Sequence, residues 1–498
     1  MDSRRRVGRN SIDRVSKNNA NLSSSWKSFL INVSKEGLTV ALSKFVSDIF
    51  RISKNAVIAA FENVREELRA DSKAPLKIDG LEKVRKHRPD YLILLFMGLI
   101  MLIGVITMYA LSPQRSAFLN KSYGADYSEM HFFWRQLISL GIGLVAFIIA
   151  SRVPLSWVYR HSGKFLMIGF LSCVFLAILG FAKIPPAKCE LGACRWFEIG
   201  PLSVQPSEIL KVGVLIALAV FLGSKARDGK INNFRETILP AGLLVGLMML
   251  FVAGFQKDLG TAISALAIVA FQFVMAGLSR KNIIRAGIFG LAAVVVLVII
   301  APHRMARMAT FLSAEDCSGL SSQEAKDEYH ICHAKIAIGS GGVFGVGIGN
   351  SVQATGYLPE AINDSVFAIL GETFGFIGLV LILAVFLALI IRILRISSHM
   401  KNPASRILAA GVCGWFAFHT LMNISAMIGL LPLTGITMPL LSYGGTSILF
   451  MSGVLGLVFN ISAYTSYIQV EDFKEESDEN SRSRGRLGRT RYTSRRRI

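Results

Sequence analysis

The sequence predicts an all-α polytopic membrane protein of about ten transmembrane helices, with a long extracytoplasmic loop between the seventh and eighth. Three observations lead there. Hydrophobic residues make up 52% of the 498 and charged residues only 17%, whereas a soluble domain carries about 25% charged residues. The apolar residues fall into repeated blocks of about 17–25 residues, the length that crosses a bilayer as a helix. The loops between blocks alternate between basic and non-basic, the signature of a chain threading back and forth through a membrane. A soluble enzyme, a secreted disulfide scaffold and a disordered chain are excluded, and six cysteines are too few for a disulfide framework.

Residues 1–89 form a basic cytoplasmic extension with 19 lysines or arginines. No cleavable signal peptide is visible, because the extension lacks an early apolar stretch; the first span is expected to act as its own signal. Within it, 26–68 reads as a helix or helix pair, since Phe45, Ile49 and Ile52 recur at helical spacing, as do Phe61, Val64 and Leu68. That stripe suits either an anionic membrane surface or a packing partner. The membrane domain follows over 90–467, with spans at 91–111, 132–150, 164–183, 206–223, 237–255, 259–277, 285–301, 365–391, 406–428 and 444–467. Only Gln256, Lys257 and Asp258 separate the fifth from the sixth, and a single broken helix is the alternative there. Residues 468–498, acidic then Arg-rich with Gly and Ser interleaved, bury too little apolar surface to order and read as a disordered cytoplasmic tail.

One set of short loops carries Arg152, Arg160 and Lys164; Lys225, Arg227, Lys230 and Arg235; Arg280, Lys281 and Arg285; and Arg392, Arg395, Lys401 and Arg406. With the two termini these loops hold 42 of the 54 basic residues, which places both ends in the cytoplasm. The charge of +21 therefore reports membrane orientation, not nucleic acid binding. The opposite face carries the longer segments: 184–205, 429–443 and the loop 302–364, long enough to expect function.

Ionisable residues inside spans are costly and are functional by default. Here they gather on the loop face: Glu208 and Lys211 in the first turns of span four, Asp258 between spans five and six, Asp364 at the entry to span eight, and Glu372 two turns further on. Arg135 and Arg195 sit at the same level. Ion pairing between helices is the plainer reading of each; as a set they predict a polar cavity open to the outer leaflet, suited to a substrate with hydroxyl and phosphate groups. The glycines at 339, 341, 342, 345, 347 and 349 could cradle phosphate through backbone N–H groups or serve as a connector. His303, His330 and His333 do not make a metal site, and no metal ligand set is visible. Cys189 and Cys194 bracket four residues of one outer loop and Cys317 and Cys332 share another, so two disulfides are expected in an oxidising exterior.

At these positions the chain resembles the SEDS (shape, elongation, division and sporulation) family. Arg195-Trp196-Phe197 followed by Gln205-Pro206-Ser207-Glu208, with Lys211 a turn later, is similar to its fourth-span signature. Asp258-Leu259-Gly260-Thr261 is similar to its Pro-Asp-Leu-Gly-Thr turn, and Ala337-Ile338-Gly339-Ser340-Gly341-Gly342 to its long-loop motif. Leu358-Pro359-Glu360-Ala361 with Asp364 and Phe367-Ala368 resembles the stretch carrying its catalytic aspartate, and Leu431-Pro432, Gly435, Pro439-Leu440 and Ser442-Tyr443-Gly444-Gly445 its last-loop signature. The chain departs from the family where His-Thr-Asp-Phe becomes Ile362-Asn363-Asp364-Ser365, where Gly-Glu-Glu becomes Gly371-Glu372-Thr373, and where Lys257 replaces the proline before Asp258.

The resemblance implies a peptidoglycan glycosyltransferase of the plasma (inner) membrane. It would polymerise lipid II, an undecaprenyl-pyrophosphate-linked disaccharide, into glycan strands at the outer face, with inversion, in cell division or elongation. It implies Asp364 as the catalytic carboxylate and Arg195, Glu208, Lys211, Asp258 and Glu372 as substrate-binding. The implied partners are lipid II, a class B penicillin-binding protein and other divisome or elongasome membrane proteins. No cofactor is required by this reading, with a divalent cation (Mg or Mn) left open. The competing readings are a lipid II flippase and a non-catalytic divisome scaffold.

Overall fold

A computed structural model describes residues 87–182, 184–190, 193–199, 202–313 and 326–465. The expected helix at 26–68, the tail at 468–498 and Cys317 lie outside the described residues. Ten helices among the described residues are long and apolar enough to cross a membrane, in the positions the hydropathy blocks predict.

Helix α1 (Tyr91–Tyr123) is capped by Asp90, whose carboxylate accepts from the amide of Leu92, and ends at Gly124 in the left-handed region. Its 33 residues rise roughly 50 Å, more than the ~30 Å hydrocarbon core. The last turns therefore stand clear and reach the loops, where Gln114 donates to the carbonyl of Gly349 at 3.0 Å. Helices α2 (His131–Arg152), α3 (Leu155–Arg160) and α4 (Ser162–Ala182) follow. The next loop adds a feature absent from the all-α expectation: a three-stranded antiparallel sheet, β1 (Ala187–Glu190), β2 (Ala193–Ile199) and β3 (Leu202–Val204), in the order β1-β2-β3. Cys189 and Cys194 are disulfide-bonded across it, as expected. Cys332 is also disulfide-bonded.

Helix α5 (Pro206–Arg227) starts with Pro206, whose missing N–H costs nothing at a first helical position. It is the axis of the bundle, with 78% of its apolar window buried. Gly169 of α4 and Gly213 of α5 let the two backbones touch, since a β-carbon at Gly213 would stand 2.9 Å from the Leu166 Cα. Small residues allow such close crossings in membranes. Helix α6 (Leu239–Met249) is flanked by wide π-helical turns at Phe234–Ile238 and Leu250–Phe255. The chain then reverses at Lys257, with φ of 53°, into α7 (Leu259–Ala276). Spans five and six are thus two helices, and the broken-helix alternative falls. Helix α8 (Arg280–Ile299) has no buried residue and lies on the outside of the bundle.

The described residues of the loop 302–364, read from sequence as irregular, include two α-helices, α9 (Pro302–Ser313) and α10 (Lys326–Ser340), and a 3-10 turn at Gln353–Thr355. At 12 and 15 residues neither is long enough to cross a bilayer. Helix α11 (Val366–Ser398) is broken at Gly375, whose φ of 66° and ψ of −169° lie in a region open essentially to glycine alone. The break answers a crossing. Gly341 and Gly345 press against the backbone of Gly371 and Thr373, and a β-carbon at Gly375 would meet the Gly345 nitrogen at 2.3 Å. The amides of Val346 and Gly347 donate to the carbonyls of Glu372 and Thr373 at 2.9 and 3.1 Å. These glycines therefore serve a close backbone crossing, and the phosphate-cradle reading of the run gives way to it. Helices α12 (Pro403–Met427) and α13 (Gly445–Ser462) complete the bundle, with α12 packed on α7 and α13 on α2.

Candidate active site at the loop face

The carboxyl of Asp364 sits two residues before α11, in a turn held on three sides. Its own carbonyl accepts from the side-chain amide of Asn423 in α12 at 2.6 Å. The next residue, Ser365, donates its hydroxyl to the carbonyl of Pro359 at 2.8 Å and contacts His330 Nε2 of α10 at 2.5 Å. The carbonyl of Ile362 accepts from the amide of Tyr443 at 2.9 Å. So fixed, Asp364 keeps one buried oxygen, Oδ1, without a hydrogen-bond partner among the described residues. Burial first, and then the Glu360 carboxylate, push its pKa up to about 7; Arg307 of α9 pulls the other way. Arg307 is itself paired with Asp327 at 3.1 Å, and Arg115 of α1 lies 4.0 Å from Glu360. Burial lowers the His330 pKa from the ordinary histidine value and so favours the neutral ring.

Asp258 occupies the other wall. It caps α7, accepting from the amide and hydroxyl of Thr261 at 3.0 and 2.7 Å and from Gln205 Nε2 at 2.9 Å. Arg195, carried by β2, donates to the carbonyls of Gln256 and Lys257 at 3.2 and 2.9 Å and so clamps the turn that presents Asp258. A second guanidinium, Arg304 of α9, is within electrostatic reach of both Arg195 and Asp258. It donates to the carbonyls of Leu297 and Ala253 at 2.8 and 2.9 Å. Burial lowers its pKa from the ordinary arginine value.

The two walls meet at consecutive residues of the last loop. A β-carbon on Gly260 would stand 2.7 Å from the Thr434 carbonyl oxygen, and one on Gly435 3.9 Å from Asp364 Oδ2. Asn423 fastens that loop, donating to the carbonyl of Ile436 at 2.7 Å.

Glu208 and Lys211 lie beneath. They form an ion pair of 2.7 Å with relative exposures of 4% and 1%, so they belong to the helix core and not to an open cavity. The Lys211 ammonium also sits 4.4 Å from the ring centre of Trp415 and 3.5 Å from Ser264 Oγ. Trp415 in turn donates to His419 Nε2 at 3.1 Å. The pair thereby ties α5 to α7 and α12.

Glu372 is placed elsewhere. Its carboxylate accepts from the hydroxyl of Ser351 and the amides of Val352 and Gln353 at 2.5, 2.9 and 3.3 Å. Its lone pairs are taken by the loop it anchors, so its position is that of a clasp and not of a substrate ligand. The structure therefore brings together Asp364, Asp258 and Arg195 around the last loop, stacks Glu208 and Lys211 below them, and separates Glu372. Sequence reasoning missed Arg304, His330, Ser365 and Asn423. Asn423, a polar residue in the last turns of span nine, was the one visible signal. No three His, Cys, Asp or Glu side chains converge on one point among the described residues.

Ten membrane helices, with a raised-pKa carboxyl and two guanidiniums gathered about one loop, define a polytopic membrane protein with a candidate polar site at one rim. Residues 90–467 match the model of the FtsW/RodA/SpoVE family, described as cell cycle protein, and the chain belongs to that family. Stage V sporulation protein E of Bacillus subtilis is 34% identical over 389 residues, 77% of this chain and 99% of that one. The probable peptidoglycan glycosyltransferase FtsW of Coxiella burnetii is 33% identical over 67% of this chain and 87% of its own. Among solved structures, a chain of a peptidoglycan synthase complex that coordinates polymerization and crosslinking superimposes with a TM-score of 0.56 at 22% identity, covering 75% of this chain and 97% of that one. The rod shape determining protein RodA of Thermus thermophilus does so with 0.52 at 25% identity, covering 75% and 96%.

Proposed function

We propose that this protein is a peptidoglycan glycosyltransferase that polymerises lipid II at the outer face of the plasma membrane. The observation that carries the reading is the Asp364 carboxyl, with one unpartnered oxygen and a pKa near 7. A general base works best when its pKa lies near the operating pH. Asp364 takes the proton from the 4-hydroxyl of the acceptor sugar as that oxygen attacks the anomeric carbon of the donor. The bond from that carbon to the pyrophosphate oxygen breaks, the lipid pyrophosphate leaves, and the new glycosidic bond forms with inversion. Arg195 and Arg304 supply positive charge where the leaving pyrophosphate gathers negative charge. Asp258 orients Gln205 and the turn that Arg195 clamps, while Glu208 and Lys211 support the floor.

In this reading both termini are cytoplasmic, residues 90–467 are the catalytic unit, and 1–89 and 468–498 flank it. A class B penicillin-binding protein crosslinks the product, alongside other membrane proteins of the division or elongation machinery. Purified protein reconstituted with lipid II should yield glycan polymer, and Asp364→Asn should yield none. Lipid II crossing the bilayer without polymer would replace this reading with a flippase; neither activity would leave a scaffold.

A further inference from the structure

On the side opposite the loop face, the start of α1 and the ends of α11 and α13 border an open cavity of about 560 Å³. The seam beside it is stitched by hydrogen bonds. The amide of His87 donates to the carbonyl of Ala463 at 3.0 Å, and that of Asp90 to Ser462 Oγ at 2.8 Å. His87 Nε2 lies 3.0 Å from Thr465 Oγ1. Three guanidiniums line the cavity: Arg88, Arg392 and Arg395. Arg392 is paired with Asp90. Arg88 and Arg395 have no ion-pair partner among the described residues. Among the described residues, two unneutralised positive charges therefore face the same space.

The apolar side of that space is equally specific. Leu92 and Leu95 line it at 39% and 52% exposure. Spaced i, i+3, they share one face of α1, and that face continues down the span. Cationic groups above an apolar wall, at the end of a membrane helix, match one ligand chemistry: a phosphate joined to an acyl chain. Guanidinium groups bind phosphate oxygens bidentately.

We propose that this cavity is a binding site for one anionic glycerophospholipid. Its phosphate bridges Arg88 and Arg395, and an acyl chain lies along Leu92 and Leu95. The lipid fastens the first, eighth and tenth spans at the seam. The site is independent of the reaction proposed for the loop face.

The test uses the full-length protein in detergent, titrated with dioleoyl-phosphatidylglycerol or dioleoyl-phosphatidylcholine and read by native mass spectrometry. Basic groups near a membrane surface each favour anionic lipid by about fivefold. The parent should prefer phosphatidylglycerol, and Arg88→Gln/Arg395→Gln should lose at least about tenfold of that preference. Arg88→Lys/Arg395→Lys should keep most of it, and inorganic phosphate should not compete. A preference unchanged in the Gln variant, or equal binding of both lipids by the parent, overturns the proposal. Competition by inorganic phosphate assigns the site to a free anion and overturns it too. A preference that emerges only after removal of 468–498 assigns the cavity to the acidic part of the tail, with the same consequence. Both charge variants change exposed side chains, and unfolding temperatures in phosphatidylcholine equal to the parent's confirm that each is folded.

Discussion

His330 Nε2 lies 2.5 Å from Ser365 Oγ, and Ser365 is the residue after Asp364. With the Ser365 hydroxyl donating to the Pro359 carbonyl, His330 Nε2 is assigned as the donor in that contact. An element 35 residues away thus pins the turn that aims the proposed base. His330→Ala should leave the serine oxygen, buried at 0% exposure, without its donor, a penalty of about 1–3 kcal/mol. The polymerisation rate should fall about tenfold or more, chiefly in kcat. His330→Gln restores an N–H donor of similar reach and should recover most of the rate. A Gln variant as slow as the Ala variant would refute the donor role.

Glu372 makes the complementary case, a carboxylate whose position indicates structure and not substrate. Hydrogen bonds to a charged acceptor contribute about 1.5–3 kcal/mol each. Glu372→Ala should therefore cost roughly 3 kcal/mol of stability and expose the 351–353 segment to limited proteolysis. The Michaelis constant for lipid II should change little in the protein that remains folded. A large rise in that constant with unaltered proteolysis would return Glu372 to the substrate.

The pairing of Glu208 with Lys211 can be examined by a double-mutant cycle. Lys211→Met leaves a buried carboxylate uncompensated, which costs roughly 3–5 kcal/mol. Adding Glu208→Gln removes that charge and should return a large part of the loss, with unfolding temperature in detergent as the readout. Additive losses would mean that the two side chains act separately despite their 2.7 Å contact.

These cases mark where the sequence is legible. Spans are local: an apolar run long enough to cross a bilayer needs no partner to be recognised, and Asp258 marks the cut between spans five and six because a capping carboxylate is also a local signal. Asp364, Asp258 and Arg195 stand out because charge is rare in such a chain. The break at Gly375 is hidden, since α11 carries other glycines and the cause of the break is Gly345, thirty residues earlier. Glu372 looked like a cavity acid because its three donors come from a loop whose path the sequence does not declare. Arg304 and His330 belong to short helices inside a segment with no span-like hydropathy, and their partners, Ala253 and Ser365, are fixed only by the fold.

The pKa of Asp364 links activity and stability in opposite directions. With a value of about 7, about a tenth of the carboxyl is ionised at pH 6 and about nine-tenths at pH 8. Polymerisation should therefore rise through neutrality, where an ordinary aspartate near 3.9 would already be flat. Between about pH 4 and pH 7 the folded chain holds a proton that the unfolded chain has released. Stability contributed by this group thus falls as pH rises across that window and stays low above it. Asp364→Asn cannot ionise, and it can fill the turn with nearly the same shape. It should lose polymerisation by at least about 10²-fold, the lower end of what a general base supplies. It should also melt several degrees above the parent at pH 8, with the difference vanishing near pH 4. If Asp364 only caps the start of α11, Asn would serve nearly as well and the variant would polymerise lipid II at close to the parent rate. Rate and melting curves measured together on the same purified variant distinguish a base held under strain from a cap.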